Sequence, residues 1–183
     1  MSTRLTIGQR ARKSGLHDNQ ENEWKSLISV LKVLLCETER VRKSSGKHRW
    51  MPRSFRYVLE DFVRHCDPGR VAPKLIPVSF EAAKKIDARG GWSYHQKAGL
   101  TYEHAVPLRI LFDLLFECKE DEERIEQTIK KFFFITWVTD EEDYKLNQLG
   151  LRSKMPEGWS SSMSPHARYE AAGISLSNID QSV

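Results

Sequence analysis

Residues 108–118, LRILFDLLFEC, are apolar almost all the way round, and Pro107 stands immediately before them. A proline suits the first turn of a helix, and a helix with so little polar surface has to be covered on nearly every side. The chain must therefore supply several partners around this segment. The first is residues 22–43, where Trp24, Leu27, Ile28, Leu31, Leu34, Leu35 and Thr38 recur at spacings of three and four, the pattern of an amphipathic helix. Val30 and Val33 widen that stripe and predict a helix set deep in the core.

Further elements follow in order. Pro52 suits the first turn of a second helix, in which Phe55, Val58, Leu59, Phe62 and Val63 share a face, whereas the proline-rich run from Cys66 to Val78 predicts a connector. Ser79 is placed to cap a short helix, FEAAKKIDAR, closed by Gly90 and Gly91. A charged helix over about 120–131 turns Ile125 and Ile129 inward, its acids leading and its lysines trailing as the helix dipole prefers. Residues 132–138, FFFITWV, are aromatic and β-branched and predict a strand. Thr139 and Glu142 then have the spacing of a capping box, and Gly150 ends the helix they begin.

The expected architecture is α+β, predominantly α-helical, with a small β-hairpin around His95 to His104 and one further strand. At 183 residues the chain fits one domain. Residues 1–20 read as a flexible basic arm, 21–176 as a single α-rich domain and 177–183 as a frayed tail.

Charge is unevenly distributed. Residues 1–56 hold 13 Lys and Arg against 5 Asp and Glu, a local +8, while the remainder holds 16 against 20, a local −4. Clustered cations favour an anionic partner, nucleic acid before membrane, because they release the counterions condensed on a phosphate backbone. Within this half, the run VRKSSGKHRWMPR combines Lys47, Arg49 and Arg53 with Trp50, which suits phosphate contacts beside a stacked base. The competing expectation is an ordinary helix connection whose tryptophan packs inward.

The three cysteines, Cys36, Cys66 and Cys118, are widely spaced with no CxxC pair, which argues against a disulfide framework and a zinc site of paired cysteines. No apolar run reaches the length of a signal peptide or a membrane span, so the expected compartment is cytoplasmic. There is no Gly-rich phosphate loop and no GxSxG elbow, which disfavours a kinase, an NTPase or a common hydrolase.

Candidate chemistry gathers in Thr101-Tyr102-Glu103-His104-Ala105-Val106-Pro107, an acid and a histidine side by side just before a proline. The order acidic, His, apolar, apolar, Pro resembles the first-histidine strand of the HNH, or ββα-metal, endonucleases. That resemblance covers about five residues. It implies that Glu103 is a ligand for Mg²⁺ or Mn²⁺ and His104 the base that deprotonates an attacking water, roles to which a hard-cation carboxylate and a neutral imidazole are suited. The family's later asparagine and second metal-ligating residue have no counterpart here, since an apolar helix follows Pro107 at once.

His95, in the aromatic loop GWSYHQKAG, could be brought beside His104 by a short hairpin. Arg152 and Lys154, two apart beyond Gly150, would point the same way in an extended segment and could clamp a phosphate. Together these residues predict a nucleic-acid-acting protein. The expected activity is that of a metal-assisted phosphodiesterase of a defence, toxin or mobile-element type. The alternative is a non-catalytic module that binds nucleic acid or a protein partner through the basic N-terminal half, with Glu103 and His104 serving structure alone. A homo-oligomer is compatible with either.

Overall fold

The computed structural model describes residues 16–45, 55–60, 63, 76–88 and 99–177. The architecture is α+β and predominantly helical, with a four-stranded mixed sheet. In chain order the elements are α1 (Leu16–Ser45), helical residues 55–60, β1 (Val78–Ser79), α2 (Phe80–Asp87) and β2 (Leu100–His104), then α3 (Leu108–Glu117), α4 (Glu122–Phe132), β3 (Ile135–Thr139), α5 (Asp140–Gln148), α6 (Ala167–Ala171) and β4 (Leu176–Ser177).

The strand order is β2-β3-β1-β4. β2 and β3 run antiparallel from Leu100 opposite Thr139 to His104 opposite Ile135, while β1 lies parallel to β3 and antiparallel to β4. All five residues of β3 are buried, as expected of a strand covered on both faces. Ile135 and Trp137 join the larger core with α1, α3 and α4, and Val138 joins a smaller one with Leu146, Leu151, Tyr169 and Ile174. The sheet thus separates two apolar clusters.

The long stripe on α1 is largely as expected. Trp24, Leu27, Ile28, Leu31, Leu35 and Thr38 are buried, and the Trp24 indole donates to Glu126 Oε1 at 2.8 Å. Val30 and Val33 are not part of it: they are 43% and 61% exposed. The buried arc of α1 is narrower than a valine on each flank implies, so the helix lies along the edge of the core. It also begins at Leu16, before the first apolar repeat. In α3, Leu111 and Leu115 are fully buried, and Leu108, Ile110, Phe112, Leu114 and Phe116 pack against the core as partly covered side chains.

Helix α4 runs through Phe132, which continues the Ile125–Ile129 stripe at a spacing of three and is drawn into the helix by it. The strand therefore starts at Ile135 and ends at Thr139. Thr139 is also the N-cap of α5, and the capping box with Glu142 is complete. Ser79 likewise caps α2, its oxygen accepting from Ala82 N at 3.0 Å. The Glu142 carboxylate joins the two caps, accepting from Thr139 N at 2.8 Å and from Ser79 Oγ at 2.5 Å. Gly150 turns the chain with φ of 70°, a conformation a side chain disfavours. Of the expected hairpin only residues 99–104 are described, and β3 is the partner strand of Leu100–His104.

Candidate functional site

The end of β2 carries the acid and the histidine, and strand geometry sends neighbouring side chains to opposite faces of the sheet. Tyr102 and His104 share the face of the larger core, where the Tyr102 ring meets Trp137 edge-on at 5.2 Å and the His104 ring lies 5.8 Å from Phe133. Glu103 points to the other face. Each therefore has its own surroundings.

His104 is buried at 8% exposure beside Glu60, which is buried at 7%. Its Nε2 lies 3.3 Å from Glu60 Oε1, within ion-pair reach but without the alignment of a full hydrogen bond. The same oxygen accepts from Arg56 Nε at 2.7 Å. Burial pushes the Glu60 carboxyl upward, but the contacts with His104 and Arg56 outweigh it and leave its pKa below the ordinary value. The helical residues 55–60 are in this way fastened to β2 through two buried ionisable side chains.

On the opposite face stands Arg168, on α6 and wholly buried. Its Nη2 pairs with Glu103 Oε1 and donates to His104 O at 2.6 Å. Its Nε donates to Ala105 O at 3.1 Å, and its Nη1 to Leu151 O at 2.6 Å and Arg152 O at 3.1 Å. A guanidinium has five N–H donors, and here each has an acceptor. Tyr169 beside it is also buried, and burial raises its phenol pKa well above the ordinary value, so the hydroxyl stays protonated. Glu103 is thus held by a buried cation, and its surroundings are those of an ion pair.

A metal shell does not fit this arrangement. A Mg²⁺ or Mn²⁺ ion needs several converging oxygen ligands, whereas the Glu103 carboxylate is committed to a positive charge that a cation would have to displace. Among the described residues no group of three His, Cys, Asp or Glu side chains is placed to hold a metal ion.

Arg152 and Lys154 are both exposed, but 152–154 is a succession of bends rather than an extended run, so strand alternation does not align their side chains. The Arg152 carbonyl is turned inward to Arg168. His95, Lys47, Arg49, Trp50 and Arg53 lie outside the described residues, as does Cys66. Cys36 and Cys118 are free thiols.

Arg168 and Glu60 were not singled out by sequence reasoning. The signal for Arg168 was present in ARYEAAGISL, where a lone cation amid small apolar residues needs an internal partner. Nothing in the spacing marks Glu60, because a glutamate on a helix is ordinarily solvated. Comparison with protein-family models, with curated proteins and with solved structures found no match.

Proposed function

We propose that this protein is a non-catalytic module that binds nucleic acid through its basic N-terminal half, residues 1–56, and works in the cytoplasm. One observation supports the non-catalytic reading above the others: Glu103 is occupied by Arg168, on the face of β2 opposite the His104–Glu60 pair. Both groups are thereby spent on holding β2 to its neighbours. The local charge of +8 over residues 1–56 supplies the reason to bind a polyanion. No helix among the described residues is long and apolar enough to cross a membrane.

The test is a fluorescence-anisotropy titration of labelled duplex DNA, single-stranded DNA and RNA between 50 and 200 mM salt. Affinity is expected to fall with salt, and neutralising Lys47, Arg49 and Arg53 together should lower the duplex slope by about 0.9 for each charge that met a phosphate. Binding indifferent to salt removes the proposal. A metal-assisted phosphodiesterase is the second reading, favoured by a single feature, the buried His104 Nε2 that lacks an aligned hydrogen bond. Cleavage of any of these substrates with Mg²⁺ or Mn²⁺, lost in His104→Asn while the protein stays folded, would replace the first reading with the second.

A further inference from the structure

Helix α4 has two polar flanks on either side of its buried Ile125–Ile129–Phe132 stripe. On the flank facing α1 its charges are already partnered: Glu122 meets Lys32 at 3.5 Å, and Glu126 accepts from Trp24 and pairs with Lys130. The other flank is different. Arg124, Gln127, Thr128 and Lys131 follow one another at spacings of three, one and three, so they share a face. With Leu114, Glu117 and Cys118 of the α3 end, Phe132 and Ser161 they line an open hollow of about 200 Å³.

Among the described residues neither Arg124 nor Lys131 is paired with a carboxylate. Lys131 Nζ donates to Ser161 O at 2.8 Å and lies 5.2 Å from the centre of the Phe132 ring, which fixes the ammonium at the rim with donors left over. Leu114, Cys118 and Phe132 give the hollow an apolar side. Among the described residues Glu117 is its one carboxylate, against two cations.

We propose that this hollow is a phosphoryl-binding site, in which Arg124 and Lys131 hold the phosphate of a monoester and the apolar side takes the near part of its aromatic body. A guanidinium matches two phosphate oxygens at once and an ammonium adds a point charge, the combination that phosphate recognition uses. The hollow is smaller than sites for drug-sized ligands, a size that suits one phosphoryl group and one ring. A free mononucleotide and a nucleotide within a strand offer the same chemistry. The site is separate from residues 1–56 and does not depend on their binding.

The experiment is isothermal titration of the full chain with inorganic phosphate, AMP and a six-nucleotide single strand, repeated in a Lys47→Gln, Arg49→Gln, Arg53→Gln background so that loss of N-terminal binding is read separately. AMP is expected to bind, and Arg124→Gln with Lys131→Gln to weaken it at least tenfold, while Glu117→Gln, which removes the opposing charge, tightens it severalfold. All three positions are exposed, so the variants should melt as the parent does. Tighter binding of AMP than of the hexamer identifies a free nucleotide as the ligand, and the reverse identifies a strand. Failure of all three probes to bind, or an affinity unmoved by the Arg124–Lys131 pair, or weakened by Glu117→Gln, overturns the proposal.

Discussion

Arg168 is the residue on which the most buried polarity converges. It neutralises Glu103 and satisfies four backbone carbonyls from two separate stretches of chain. Arg168→Met keeps much of the volume but leaves a partly buried carboxylate without its counterion, and such uncompensated pairs typically lose about 3–5 kcal/mol. Urea unfolding should show a loss in that range, and a change under about 1 kcal/mol would mean that the pair is dispensable. Glu60 makes a separate prediction. Its folded-state pKa lies below its ordinary 4.5, so its contribution is complete above 4.5 and fades as pH falls through the folded value. Glu60→Gln should therefore flatten the acid limb of the stability profile below 4.5, measured by Tm against pH. An unchanged limb would assign acid unfolding to other carboxylates.

Among the elements, α1 offers the clearest internal control. Leu31 is fully buried and Val33 is 61% exposed, two residues apart on the same helix. Leu31→Ala should destabilise by about 2–5 kcal/mol, whereas Val33→Ala should stay within about 0.5 kcal/mol. Equal losses in urea titrations would mean that Val33 is covered in solution by something beyond the described residues. The same pair marks how far periodicity can be read. Spacings of three and four identified the axis of the helix, but the width of its buried arc depends on where neighbouring elements end. β-branched residues such as Val30 and Val33 carry the same apolar signal on either side of that limit.

For the molecule as a whole, the helical majority, the strand before Thr139 and both helix caps were legible because each rests on local chemistry: period, capping oxygen and glycine turn. The sheet was not. β1 and β4 have two residues each, too few to show alternation, and β1 pairs across long stretches of sequence with β3 and β4. The candidate site was half legible. Glu103 and His104 were visible as an unusual pair, but their partners, Arg168 and Glu60, lie 65 and 44 positions away in sequence. Only the fold shows that the two neighbours belong to opposite faces. The expectation that acid and imidazole act together came from adjacency along the chain, which a strand converts into separation.

The reach of Arg168 also sets an order of events while the chain is being made. Residues 103–105 and 151–152 precede the cation that binds both, which is on α6, and β4 closes the sheet only after it. On the ribosome, a growing chain that has already emerged past α5 still holds an unneutralised glutamate, free carbonyls and an open edge on β1. The central strands must wait for α6 and β4, so this fold is not completed piece by piece as the N-terminal helices appear.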